Sequence, residues 1–305
     1  ALTSVVLMIS WVVVYIFLEF QLKSSIHKEF HRISGSAGRL FDINMQRDRS
    51  RMDFVLNKIL AAKGLSKAIA DKNYEDIKSI VAPYYRRLKS TQESVNILSF
   101  RSKEGITLFR AHKPEFYGDK VNPKRTLIDD TNTLHRSFSG FEVGKLEMTY
   151  RITKPIFYEQ EYVGNVELGI SPSAFLNDLG SVFKTDIGIA IDKSQLDIML
   201  DKVAVPIDSR YVLVKAEENL KRHFQKKQNR ESKTYKIDMN IPLTNHLSQT
   251  LGYLVVGFDI SSMVKEDKEF IHKLFYIIAV IMLILGIIHH FGFNKMLNYF
   301  SKQVY

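Results

Sequence analysis

The sequence predicts an α+β protein: a long N-terminal helix and two antiparallel-sheet lobes, flanked by two membrane-length helices. Three observations carry that prediction. Uncharged apolar runs occupy residues 2–18 and 274–293. Apolar residues between Ile26 and Ile69 recur at steps of three and four, the period of a helix. From Val95 onward the texture becomes short β-branched and aromatic runs divided by polar turns, and one such pattern occurs twice.

The chain has 305 residues, 45% of them hydrophobic and 25% charged, so two spans still leave enough length for sizeable folded cores. There is no cysteine, which excludes disulfides, thiol catalysis and thiolate metal sites. The net charge is +10, yet Lys and Arg are interspersed with acids and form no basic stripe with aromatics. Nucleic acid is therefore not an expected partner; anionic lipid headgroups or an anionic ligand account for the excess.

Residues 2–18, LTSVVLMISWVVVYIFL, end at Glu19 and Lys23. About 20 apolar residues in a helix cross about 30 Å of hydrocarbon. A long apolar core followed by LEFQLKSS reads as a membrane anchor, since a cleaved signal peptide needs a shorter core and a small-x-small site. Residues 274–293, LFYIIAVIMLILGIIHHFGF, form the second span. His289 and His290 are helix neighbours pointing about 100° apart, so they do not converge on one ion. Trp11, Tyr15, Phe275 and Tyr276 are too few to define interface belts, and the intervening segment is too long for its Lys and Arg to set orientation. A start without Met and an end 12 residues past Phe293 suggest a trimmed larger protein with an output domain beyond Tyr305.

Ile26, Phe30, Ile33, Ala37 and Leu40, then Val55, Ile59, Ala62, Ser66 and Ile69, predict a long helix continuous with the anchor. Gly35 and Gly38 weaken it, and the charged run at 47–51 is expected to interrupt its apolar seam as a solvated face. A second helix over 73–89 should kink or split at Pro83. Residues 95–100 and 106–111 read as a hairpin, 127–137 as a short helix and 140–144 as a loop. Residues 145–157 and 162–170 read as strands around a polar turn at 158–161.

The pattern of Tyr150, Ile152, Ile156, then GNVELG at 164–169 and Ile170, is echoed by Tyr235, Ile237, Ile241, GYLVVG at 252–257 and Ile260, at offsets growing from 85 to 88 residues through the glycine runs and to 90 at the last pair. Two copies suit a duplicated small domain ending in a long hairpin, with 185–191 opening the second copy and 217–227 its helix. The expected divisions are a first span at 1–21, two helices at 22–92, lobes at 93–180 and 181–262, an exit helix at 263–273, a second span at 274–293 and a linker at 294–305.

This layout, with LFRAHKPEFYGD at 108–119, GFEVG at 140–144, Arg151, Pro155 and VGNVELG at 163–169, resembles the double Cache sensors of bacterial transmembrane receptors. The subfamily is the double sensory domain of two-component kinases, also found on chemoreceptors and diguanylate cyclases. The resemblance covers roughly residues 22–272. It implies two PAS-like lobes of five or six strands, a small ligand in the membrane-distal lobe, and a bacterial inner-membrane protein whose residues 22–272 are periplasmic or extracellular. The second lobe lacks an Arg-Ala-His equivalent, which puts a site there in doubt.

Within the first lobe, Arg110 with His112 and Tyr117 forms a candidate clamp for an anion or amino acid, because a guanidinium fork matches a carboxylate. Glu142 is placed to answer an ammonium or to fix Arg110 or Arg151, and Glu167 of the VGNVELG run completes the candidate set. The competing reading is a structural ion-pair network holding the loop to the sheet. No nucleophile elbow, Walker loop, HExxH or paired metal-ligand spacing occurs, so neither catalysis nor a metal or cofactor is expected in these residues. A third reading is an interaction module whose N-terminal helix forms a homodimer. The Pro-free segment after the second span resembles linkers that precede GGDEF diguanylate cyclases; a histidine kinase and a chemoreceptor are the next outputs considered.

Overall fold

The computed structural model describes residues 2–120, 125–144, 147–196, 204–226 and 235–303. It comprises two units, Arg32–Phe258 and the pair Ala1–His31 with Asp259–Tyr305.

Helix α1 (Leu2–Leu60) is unbroken. From Ile33 its inward residues, among them Ala37, Phe41, Met52, Leu56 and Ile59, are buried. The charged run does not interrupt this seam. Asn44 and Asp48 occupy seam positions and are buried, while Arg47, Arg49 and Arg51 point outward. The helix does stop at Leu60, earlier than the periodicity suggests, because Gly64 turns the chain in a left-handed conformation (φ 85°) before α2 (Leu65–Ala70). Helix α3 (Tyr74–Thr91) is capped by Asn73, whose side chain accepts from the Asp76 N–H. It is not split at Pro83; burial of Ile77, Val81 and Leu88 on either side holds one continuous helix.

The first sheet has the order β2-β1-β5-β4-β3. Its strands are β1 (Val95–Ser102), β2 (Thr107–Arg110), β3 (Phe138–Val143), β4 (Met148–Tyr158) and β5 (Glu161–Ile170). The predicted hairpins are present. Glu159 and Gln160, both at positive φ (49° and 69°), make the two-residue turn whose twist suits paired strands. The expected loop at 140–144 is instead mostly strand: Gly140, Phe141, Glu142 and Val143 pair with Arg151, Tyr150, Thr149 and Met148, so neighbouring-strand pairing overrides the two glycines. Helix α4 (Thr126–Leu134) joins β2 to β3, and α5 (Ser173–Phe183) leads to the second lobe.

The second sheet has the order β7-β8-β6-β10-β9. It comprises β6 (Asp186–Asp192), β7 (Val205–Pro206), β8 (Tyr211–Ala216), β9 (Tyr235–Thr244) and β10 (Thr250–Asp259), with α6 (Glu218–Lys226) after β8. The run β1-β5-β4 thus recurs as β6-β10-β9, as the sequence repeat suggests. Two glycines mark the equivalence. A Cβ at Gly164 would sit 2.0 Å from the Arg101 carbonyl oxygen, and one at Gly252 would sit 2.0 Å from that of Ala190. Both strands approach their neighbour where only glycine fits.

One face of the first sheet, with Leu98, Phe100, Ile152, Val166 and Leu168, forms the main core with α1, α2 and α3. In the other unit, α7 (Ser261–Gln303) runs without a break through the second apolar stretch. Trp11 and Tyr15 of α1 meet Phe275 edge-on, with centroids 4.5 and 5.8 Å away. Both helices are long and apolar enough to cross a membrane.

Candidate functional site

Strand side chains alternate between faces, so the first sheet turns a second, polar face away from the main core. Ser99 and Arg101 of β1 lie opposite Glu167 and Asn165 of β5; Thr153 of β4 lies opposite Glu167, and Thr149 opposite Glu142 of β3. Helix α4 covers this face. Thr131 Oγ1 lies 2.5 Å from Thr153 Oγ1, and Asn132 Oδ1 accepts from Asn165 Nδ2 (2.6 Å) and the Tyr162 hydroxyl (2.5 Å). These bonds bring Arg125, immediately before α4, onto the carboxylates of the sheet.

The result is a buried cluster of three guanidiniums and two carboxylates. Glu167, with no exposed surface, accepts from Arg101 Nη2 (2.5 Å), Arg151 Nη1 (2.7 Å) and Arg125 Nη2. Glu142 accepts from Arg125 Nε (2.8 Å) and lies 3.1 Å from Arg151 Nη1. Arg151 Nε is fixed on Thr149 Oγ1 at 2.6 Å. Burial pushes the Glu167 carboxyl upward, but Arg125, Arg101 and Arg151 together hold it well below the usual carboxylate range. Burial likewise opposes the charge on Arg125, and Glu167 and Glu142 overcome it and raise that guanidinium. Arg101 is lowered, chiefly by burial that Glu167 only partly offsets.

Three positive and two negative groups leave the cluster with one excess positive charge. Arg101 carries it most conspicuously: it is 2% exposed, and its Nε and Nη1 find no acceptor among the described residues. Glu142 Oε1 is similarly buried without a donor. Such groups cost about 1–3 kcal/mol each when left unsatisfied.

Of the residues singled out in the sequence, Glu142, Arg151 and Glu167 meet here. Arg110, His112 and Tyr117 do not join them. The Arg110 fork donates to both carboxylate oxygens of Asp119 at 2.7 Å, and Nη1 also reaches the Phe116 carbonyl at 2.8 Å, so it braces the loop that follows β2. His112 Nδ1 lies 3.3 Å from both the N and the O of Leu98, and burial lowers its pKa to about 4. Tyr117 stacks on Tyr74 at 4.3 Å. Sequence reasoning missed Arg101 and Arg125. Alternation within β1, where Arg101 follows Phe100 and falls in step with Ser99, was the available signal for the first; nothing local marks the second.

The second lobe has no such cluster among the described residues. The positions equivalent to Arg101 and Glu167 are Ala190 and Val255, which pack with Leu213, Leu220 and Phe224 in a separate apolar core. A Cβ added at Gly188 would meet Leu220 at 2.8 Å, so side chains already fill that space.

The family model for the double sensory domain of two-component sensor kinases matches residues 23–200. Solved structures similar to the chain include the sensory domain of the Campylobacter jejuni chemoreceptor Tlp3 with isoleucine bound, at 10% identity and TM-score 0.48, covering 82% of this chain and 98% of that one. The Vibrio cholerae LuxQ periplasmic domain matches at 12% identity and TM-score 0.47, covering 75% and 97%. The V. cholerae histidine kinase DctB sensor domain matches at 14% and 0.35, covering 72% and 95%. No curated protein matches. Sensor domains of this kind are the extracytoplasmic parts of membrane receptors. With more than half its length matched, this chain belongs to the double Cache family, as a double sensory domain of the two-component sensor kinase type.

Proposed function

We propose that the first lobe binds a small carboxylate-bearing ligand, an amino acid or a short organic acid, against Arg101, Arg125 and Arg151. The observation that carries this reading is the buried excess charge, with two Arg101 donors lacking acceptors. A ligand carboxylate supplies both the missing charge and the missing acceptors. Glu142 Oε1, a buried acceptor without a donor, favours a ligand that also carries an ammonium. The test is thermal denaturation of the whole chain in nanodiscs against amino acids and mono- and dicarboxylates. At least one should raise the midpoint in wild type and not in Arg101→Met; no stabilisation by any of them would count against the reading.

The chain would be held in the inner membrane by α1 and α7, whose apolar residues Ile16, Phe20, Leu283 and Ile288 are each at least half exposed. Dimerisation through α1 is part of the same proposal. Because Ile33 and Ala37 are buried, the outward Ile43 and Phe54, 61% and 58% exposed, are the better candidates for the interface. A diguanylate cyclase is the first output we propose, supported by the Pro-free helix that continues to Gln303. The matched family's description favours a histidine kinase as the second reading.

A further inference from the structure

The two lobes meet at the turn of the β9–β10 hairpin. Asn245 shapes the turn, its Oδ1 accepting from the N–H groups of Leu247 (3.0 Å) and Gln249 (2.9 Å). His246 then projects into the first lobe. Its side chain is 2% exposed, its Nε2 lies 2.5 Å from Asp130 Oδ2 on α4, and its ring meets Phe138 of β3 edge-on at 5.5 Å. Contact with β3 is close enough that a Cβ at Gly140 would lie 2.4 Å from the His246 backbone nitrogen. Asp130 immediately precedes Thr131 and Asn132, the residues that fasten α4 over the polar face. The hairpin tip therefore grips the helix that follows Arg125 and the strand that carries Glu142.

The stem of the hairpin reaches α1. Buried Asp238 of β9 accepts from Ser34 Oγ, and Ile241 packs so tightly on Gly38 that an added Cβ would be 3.3 Å from it. At the far end of β10, Asp259 Oδ1 accepts from the Ser261 N–H at 2.8 Å, the first N–H of α7. Two paired strands of ten residues make a stiff element about 33 Å long.

We propose that the β9–β10 hairpin is the lever by which the first lobe addresses both membrane-directed helices, with His246–Asp130 as its latch. A displacement of α4 or β3 at the arginine cluster moves the tip, and the stem carries it to α1 and to the start of α7. The proposal rests on the first lobe being the ligand lobe only for its natural stimulus. The mechanical claim is tested without a ligand.

Hydrogen–deuterium exchange is measured on the whole chain in nanodiscs for wild type, His246→Ala, His246→Gln, Glu142→Gln and the double variant Glu142→Gln/His246→Ala. His246→Ala should raise exchange about tenfold in 126–134, 138–143 and 235–244. His246→Gln, which keeps a donor toward Asp130, should restore most of the protection. Glu142→Gln, made in the cluster, should change exchange at 245–249 and in the first turn of α7, and this remote effect should vanish in the double variant. Changes confined to 245–249 in His246→Ala, or a Glu142→Gln effect of equal size with and without His246, would overturn the lever. Failure to find a carboxylate ligand would leave these exchange results unchanged, so the two readings fail separately.

Discussion

Replacing Arg101 by Met and Glu167 by Gln should have opposite consequences for the charge of the buried cluster. With three guanidiniums and two carboxylates, the native excess is one positive charge. Arg101→Met brings it to zero; Glu167→Gln raises it to two. The first change removes one charge-assisted hydrogen bond, worth about 1.5–3 kcal/mol, but also removes a buried cation with two unsatisfied donors at about 1–3 kcal/mol each, so any net cost should not exceed about 1 kcal/mol. The second leaves buried Arg101 with no carboxylate partner and Arg125 and Arg151 with Glu142 alone, and should cost about 3–5 kcal/mol. Urea denaturation of the chain in mixed micelles, followed by circular dichroism at pH 7.5, measures both. A cost for Arg101→Met as large as that for Glu167→Gln would refute the reasoning, since Arg101 would then serve the unliganded fold instead of being held for a ligand.

Gly164→Ala and Gly252→Ala should each destabilise the chain by about 1–3 kcal/mol or more, because each added methyl meets a carbonyl oxygen of the neighbouring strand, whereas Gly35→Ala in the exposed wall of α1 should stabilise by about 0.5–1 kcal/mol; the same denaturation assay reads all three. His112 has a folded pKa of about 4 against an ordinary 6.5, so below pH 6.5 the unfolded chain takes up the proton and the folded chain does not. Its burial should thus cost stability progressively between pH 6.5 and 4, by about 3 kcal/mol in full, and His112→Gln should flatten that part of the stability–pH curve. In this cysteine-free chain, Cys at position 43 or 54 should crosslink copies in membranes, and Cys at 33 should not.

The two-lobed fold was legible because its signals are local. The leading strands of both hairpins, β4 and β9, alternate apolar with polar residues, and the offset of 88 residues aligns Gly164 with Gly252, a pair whose shared backbone contact then explains why both are glycine. Less was legible where pairing or packing decided the outcome. Gly140 and Gly144 suggested a loop, but β4 supplies a partner for 140–143. The charged run at 47–51 hides a single buried Asp48 among outward Arg residues, so composition misjudged the seam. At the site, the pairing of Arg110 with Asp119, nine residues on, crosses a loop whose closure no periodicity reveals. Arg125 reaches Glu167 only because α4 folds back over the sheet, a long-range event with no local signature.

Isothermal titration of the best-stabilising carboxylate into the intact chain, in wild type and in Arg101→Met, bears most directly on the central claim that the arginine cluster of the first lobe is the sensing site. One binding site per chain and at least a 100-fold weaker Kd in the variant, about 2.7 kcal/mol, are expected, with the variant's melting midpoint preserved. Equal affinity in the two proteins would place the ligand elsewhere and contradict that claim.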